Sequence, residues 1–187
     1  QVSKFDDWRA QMKKVSQLAA EKQHDDVIKQ AGAARDWYPD YVEKGSAYEY
    51  LADAYAAKNE IPKAIEELQR YNKTGGRNPA TIKKLAGWLT DQNRKAEAAA
   101  ALKRLNYIYP QDEELHSKLG TLLFDLGDGA GAVKEFEALV AAKPNDAAGS
   151  RFRLAQAYAK VNRVEDAKEQ VVMALEVAPG YRPAQKL

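Results

Sequence analysis

The most informative absence in this chain is that of cysteine. None of its 187 residues is Cys, which excludes disulfides, thiolate metal sites and cysteine nucleophiles. Histidine is almost absent too, because the chain has only His24 and His116, and these lie far apart. Without a cluster of these residues, the sequence predicts neither a zinc site nor a Ser-His nucleophile. We therefore predict no metal, no cofactor, no catalytic residue and no enzymatic activity.

Long apolar runs and an excess of one charge are also missing. No run approaches the roughly 18 apolar residues that a membrane helix needs, so no membrane insertion is expected. The 29 basic and 27 acidic residues leave a net charge of +2, which gives no general attraction to nucleic acid. A chain that is 45% hydrophobic and 30% charged has the composition of a folded domain. None of these features assigns a cellular compartment.

One glycine-rich segment, residues 127–131, superficially suggests a phosphate-binding loop. Its glycines have the wrong spacing, no Lys-Ser or Lys-Thr pair follows, and no predicted strand precedes it. The segment is instead predicted to be a turn between two helices.

What the sequence does contain is a repeat of about 34 residues. Pro110 and Pro144 lie 34 residues apart, and Pro179 follows 35 residues later. The two earlier repeats end in the same way at Pro39 and Gly76. A small or β-branched residue lies twelve residues before each of these five repeat ends, in the series Val27, Ala64, Ala98, Ala132 and Ala167. A period of this length indicates a stack of similar supersecondary units.

Each unit reads as two amphipathic helices joined by a short polar turn. Apolar and small residues recur at three- and four-residue steps, which places them on one face of a helix. The turns contain Asn59, Asn93, Gly127 and Asn162, residue types that end helices. Trp8, Trp37 and Trp88 fall in the helical pattern, so we expect them to lie in the core or to pack between layers, and we expect His116 to pack between helices.

The repeat resembles the tetratricopeptide repeat family. The best match is the fourth unit, with Leu119-Gly120, Leu123, Ala132, Phe136 and Pro144, whereas the first unit is degenerate. The resemblance implies an all-α fold, a right-handed α-solenoid of helix–turn–helix repeats, as a single array over residues 1–187. The expected units are residues 8–41, 45–78, 79–112, 113–146 and 148–181, with 181–187 opening a further, truncated helix.

The resemblance also implies a function and a site. First helices in this family line a concave groove that holds a peptide or a partner protein, so we expect a protein–protein interaction scaffold. One position, equivalent in the five first helices, is basic in four of them and has aromatic residues nearby. Such a combination suits a ligand with carboxylates and apolar side chains. The candidates are Lys13, Glu49, Tyr50, Asp53, Lys83, Lys84, Lys118, Phe124, Phe152, Arg153 and Gln156.

Family members that bind chaperone tails use a two-carboxylate clamp with Asn in set columns of the groove. Those columns hold Ser16, Asp53 and Tyr50 here, so binding of that type is not expected.

Two alternatives stay open at this point. The chain starts at Gln1 and stops just after Arg182-Pro183-Ala184, which reads as the opening turn of a helix. We interpret it as a fragment of a larger bacterial protein. It could then be a non-catalytic accessory module of a larger enzyme, for example a peptidase or hydrolase. The second alternative is self-association into a homo-oligomer.

Overall fold

A computed structural model describes residues 3–186 of the chain. Within that range the chain is all-α, with no β-strand. It forms two compact units, Gln1–Asn93 and Arg94–Leu187. Unit 1 contains α1 (Lys4–Ala20), α2 (His24–Trp37), α3 (Ala47–Ala57), α4 (Ile61–Thr74) and α5 (Pro79–Asp91). Unit 2 contains α6 (Lys95–Ile108), α7 (Glu113–Asp125), α8 (Gly129–Ala141), α9 (Ala147–Lys160) and α10 (Val164–Val177), followed by one 3-10 turn, Ala184–Lys186.

Polar side chains fix where several helices begin. In unit 1, Ser3 and Asp6 form a reciprocal capping box at the start of α1. In unit 2, the carboxylates of Asp112, Asp128 and Asp146 accept backbone N–H groups at the starts of α7, α8 and α9. Each cap satisfies a donor that the helix itself leaves unpaired.

The turns that follow the odd-numbered helices share one backbone feature. The chain there passes through a residue with positive φ, which reverses its direction over very few residues. Gly and Asn adopt this conformation at little cost. The residues are Lys22, Asn59, Asn93, Gly127 and Asn162, so the predicted helix–turn–helix pattern is confirmed. Of the glycine-rich segment only residues 127 and 128 lie in the turn, because α8 begins at Gly129.

Small residues bring the helices of unit 1 together, and large ones fill the space that remains. Ala31, Ala52 and Ala64 are fully buried, because a larger side chain would separate the helices. Tyr71 at the end of α4 is also buried, and its hydroxyl accepts the backbone N–H of Asn78 at 2.9 Å. Gly76 lies against this ring: a Cβ there would come within 2.2 Å of it.

Unit 2 is built in the same way. Ala132, Ala155 and Ala174 are fully buried at the helix crossings. Gly120 on α7 lies under the ring of Phe136 on α8, where a Cβ would be 2.6 Å from the ring. The larger residues Leu102, Leu105, Leu115 and Leu119 complete the core.

One expectation about the core is wrong. Trp8 is buried and donates from its indole to the carbonyl of Ala34 at 3.0 Å, and Trp88 is half-buried. Trp37, however, is 54% exposed. It is the last residue of α2, and at 3.6 residues per turn it lies about a quarter turn away from the face formed by the buried Val27, Ala31 and Ala34.

Only part of the predicted C-terminal helix lies within the described residues. Residues 184–186 form a single 3-10 turn, and Ala184 in it is buried. Residues 1, 2 and 187, which the predicted array includes, lie outside the described residues. The boundaries of the five repeats therefore stay predictions.

Candidate binding surfaces

The candidate residues of unit 1 lie on α1, α3 and α5. Lys13 is exposed on α1, Tyr50 and Asp53 lie on α3, and Lys83 and Lys84 lie on α5. The ammonium group of Lys84 lies 2.5 Å from a carboxylate oxygen of Asp53 and 5.9 Å from the centroid of the Trp88 ring. Tyr50 packs against the buried cluster around Trp8 and Met12. The structure thus brings α3 and α5 side by side, with Lys84 and Asp53 paired.

Glu49 is a further candidate on α3, but its carboxylate already accepts hydrogen bonds from other residues of the chain. One oxygen accepts the backbone N–H groups of Gly45 at 2.6 Å and Ser46 at 3.0 Å. The other accepts the Asn78 amide at 2.8 Å and the hydroxyl of Thr81. Glu49 therefore ties the start of α3 to the start of α5. The Ser-x-x-Glu spacing from Ser46 to Glu49 is a helix-start signature that indicates half of this role.

In unit 2 the candidate surface is formed by α7 and α9. The ammonium group of Lys160 lies 4.1 Å from the centroid of the Phe124 ring and also donates to the Phe124 carbonyl oxygen. Arg153 donates to the hydroxyl of Ser117 at 2.7 Å. These contacts join the two helices and define a patch, which we call the α7/α9 patch, of Lys118, Phe124, Phe152, Arg153 and Lys160.

Sequence reasoning missed Lys160 in this patch. It follows Arg153 by seven residues on α9, which is two helical turns, so the two side chains share a face. That spacing was the available signal. Gln156, which lies between them and is half-buried, was among the predicted candidates.

The remaining contacts of the patch set its charge. Lys118 forms an ion pair with Glu114 one turn earlier, at 2.8 Å. Asp125, at the end of α7, pairs with Lys95 at 2.7 Å. Phe152 meets the ring of Tyr181 edge-on, with centroids 5.8 Å apart. The patch therefore combines three cations with two partly buried aromatic rings, which suits carboxylates flanked by apolar side chains.

A second polar feature lies among the even-numbered helices. In unit 1 the buried carboxylate of Glu67 on α4 pairs with Arg35 on α2 at 2.6 Å. In unit 2 the buried carboxylate of Glu135 on α8 contacts a ring nitrogen of His116 at 2.7 Å and accepts from the Asn106 amide at 3.0 and 3.2 Å. His116 does pack between helices, as expected, but it also has this polar partner.

Two further properties bear on the class of site. Among residues 3–186, no group of three or more His, Asp and Glu side chains is placed to hold a metal ion. Over the same residues, no helix is both long enough and apolar enough to cross a membrane.

Comparison with known proteins gives the fold. No family model matches the chain. A heat shock protein sti1 homologue of Schizosaccharomyces pombe is 30% identical over 167 residues, and the match covers 87% of this chain. The chain spans only 27% of that relative's length.

Solved structures cover most of the chain at low identity. YrrB, described as a TPR protein with an unusual peptide-binding site, has a TM-score of 0.69 at 19% identity and covers 95% of this chain and 91% of its own. A MamA protein has a TM-score of 0.65 at 19% identity, with 90% of each chain covered. MamA from Desulfovibrio magneticus RS-1 has a TM-score of 0.58 at 19% identity over 71% of this chain and 74% of its own.

These likenesses and the helix–turn–helix pattern agree. The chain is an all-α protein with the tetratricopeptide repeat fold, which confirms the resemblance found in its sequence.

Proposed function

We propose that this protein is a non-catalytic scaffold that binds a peptide or partner protein on the exposed faces of its odd-numbered helices. The observation that carries the proposal is the α7/α9 patch, where Lys160 lies over the Phe124 ring and Arg153 of α9 donates to Ser117 of α7. Support also comes from the shared fold with YrrB, whose description names a peptide-binding site.

The chemistry of the patch favours an acidic, partly apolar ligand. The side chains of Lys118 and Arg153 are exposed, and guanidinium and ammonium groups form short, charge-assisted hydrogen bonds with carboxylates. Phe124 and Phe152 offer ring surface for apolar side chains of the same ligand. Because the helices are held by a packed core, the patch is formed before binding and loses little entropy when a ligand arrives.

In unit 1, the strip of Lys13, Tyr50, Asp53, Lys83 and Lys84 has a different balance. The pairing of Lys84 with Asp53 reduces its net positive charge, as the pairing of Lys118 with Glu114 does in the α7/α9 patch. The strip offers one aromatic ring, that of Tyr50, whereas the patch offers two, those of Phe124 and Phe152. On α3, Glu49 acts as a positioning residue, since its carboxylate accepts hydrogen bonds from Gly45, Ser46, Asn78 and Thr81. We therefore propose that the α7/α9 patch contributes more to ligand affinity than the strip on unit 1.

The test is affinity capture from an extract of the source organism with two matched variants. Lys118→Glu/Arg153→Glu reverses two charges of the α7/α9 patch. Lys29→Glu/Lys73→Glu makes the same change of net charge at exposed positions of α2 and α4, outside every candidate surface. A partner held by the native chain and by the second variant but lost by the first supports the proposal. Loss from both variants, or from neither, contradicts it.

Self-association is a second candidate, favoured by the outer surface of α10. Val172 and Val177 there are 56% and 58% exposed, and Val164 at its start is also exposed. Sedimentation at increasing concentration tests this candidate, with Val172→Glu as the variant that should restore a monomer. A constant monomer mass for the native chain would exclude it.

A further inference from the structure

The even-numbered helices of unit 2 contain a cavity that the proposed scaffold function does not use. It has a volume of about 640 Å³ and lies between α6 and α8, close to the start of α7. We call it the α6/α8 furrow. The residues that matter below are Lys103, Asn106 and Tyr107 on α6 and Lys134, Glu135 and Ala138 on α8.

The same position in unit 1 is filled by arginine side chains. Glu67 lies three residues after Ala64, as Glu135 lies three residues after Ala132. Arg35 reaches Glu67 at 2.6 Å and Arg70 reaches it at 3.6 Å. Both guanidinium groups therefore lie over the buried carboxylate, and the exposed charges of unit 1 at this place are mixed.

Unit 2 replaces both arginines by shorter residues. Asn106 occupies the repeat position of Arg35, since each lies eight residues after Ala98 or Val27. Ala138 occupies the position of Arg70, since each lies six residues after Ala132 or Ala64. The space that guanidinium groups fill in unit 1 is therefore open in unit 2, which accounts for the furrow.

The carboxylate at the floor of the furrow is buried and held by hydrogen bonds. The ring of His116 contacts Glu135 at 2.7 Å through one nitrogen and the carbonyl oxygen of Pro110 at 3.0 Å through the other. Glu135 is buried, whereas Lys103 and Lys134 at the rim are exposed, so a ligand meets the two lysines first. The Asn106 amide donates to the same carboxylate and stabilises it further.

The rim of the furrow differs in charge and in apolar surface from the equivalent positions of unit 1. Lys103 and Lys134 are exposed here, where the equivalent residues of unit 1 are Gly32 and Glu66. Asp128 is the nearby acid, 3.9 Å from the Lys103 ammonium group, and it also caps α8. Tyr107, which replaces Asp36, is 92% exposed.

From these contacts we infer that the α6/α8 furrow is a second binding surface, specific for an acidic peptide segment with one aromatic side chain. The aromatic ring enters the furrow beside Tyr107, and carboxylates on either side of it pair with Lys103 and Lys134. An exposed tyrosine beside an open cavity and two lysines provides an anchor and a charged rim, as protein interfaces do.

The test uses the full chain labelled with ¹⁵N and a synthetic peptide that has one Phe between runs of Glu. We expect this peptide to shift the amide signals of Tyr107, Lys134 and Ala138. The same peptide with Lys in place of Glu, and inorganic phosphate alone, should leave these signals in place. Shifts confined to α7 and α9, or equal shifts with the Lys peptide or with phosphate, overturn the inference.

Two variants make the test specific. Ala138→Arg introduces the arginine of unit 1, which can pair with Glu135 and fill the furrow, so affinity should fall by about tenfold or more. Lys103→Glu/Lys134→Glu changes exposed residues only and should cause a similar loss, which covers the case in which Ala138→Arg fails to fold. Lys118→Glu/Arg153→Glu should bind the peptide at the furrow as the native chain does. Unchanged affinity in both furrow variants overturns the inference and leaves the α7/α9 patch unaffected.

Discussion

Lys160 on α9 lies with its ammonium group 4.1 Å from the centroid of the Phe124 ring on α7. The contact joins two helices and holds a cation over an aromatic face. At partly exposed positions such a contact contributes about 0.5–1 kcal/mol. We expect a double-mutant cycle with Phe124→Leu and Lys160→Met, followed by urea unfolding, to give a coupling free energy in that range. Additive effects of the two substitutions would show that the contact does not stabilise the unit in solution.

The close approach of Gly76 to Tyr71 gives a second prediction, about packing in unit 1. A Cβ at position 76 would lie 2.2 Å from the ring, so Gly76→Ala should lower the free energy of unfolding by about 1–3 kcal/mol. Gly87 on α5 is the control, because a Cβ there meets no atom within 4 Å. Gly87→Ala should stabilise the helix by up to about 1 kcal/mol. Equal changes in both variants would contradict the packing described here.

The buried pair His116–Glu135 gives a third prediction. His116→Leu leaves the Glu135 carboxylate buried without its closest partner, which typically costs about 3–5 kcal/mol. Replacing both residues by Leu removes the charge as well, so we expect most of the lost stability to return. Denaturant unfolding of the single and double variants measures this. A double variant no more stable than the single one would mean that shape, and not charge, sets the cost.

Tyr158 gives a prediction about alkaline pH. Burial, together with the hydrogen bond from its hydroxyl to Glu137 at 2.6 Å and the charge of that carboxylate, raises the pKa of Tyr158 from 10.0 to about 12. The folded chain therefore keeps the neutral phenol after the unfolded chain has lost its proton. This contribution is fully present below pH 10 and is lost as the pH rises through about 12.

The measurement compares the native chain with Tyr158→Phe, which cannot ionise. Between pH 10 and 12, the free energy of unfolding of the native chain should fall more steeply than that of the variant. Parallel curves would show that the folded state does not favour the neutral phenol.

The sequence predicts the helices well because their causes are local. A repeat of small residues such as Ala64 and Ala132, together with Asn or Gly at the turns, determines where helices begin, end and meet. Trp37 was expected in the core because tryptophan is large and apolar, but the periodicity of α2 places it beside the face formed by Val27, Ala31 and Ala34, and it is exposed.

The candidate surfaces were predicted less completely, since a column of positions indicates a face but not the partners on it. Nothing in the residues around Glu49 reveals that Asn78 and Thr81, about thirty residues later, donate to its second oxygen. The furrow depends on three helices at once and on the absence of arginines at Asn106 and Ala138. That absence becomes meaningful only once Glu67 and Glu135 are known to be buried carboxylates.

The measurement that tests the central claim most directly is site-specific photo-crosslinking. A benzophenone amino acid is placed at Phe152 in the α7/α9 patch and, as a control, at the exposed Glu176 on α10. Both variants are irradiated with the partner captured from the source organism. We expect a crosslinked partner from position 152 that Lys118→Glu/Arg153→Glu abolishes, and none from position 176. Equal crosslinking from both positions, or crosslinking from position 176 alone, would contradict it.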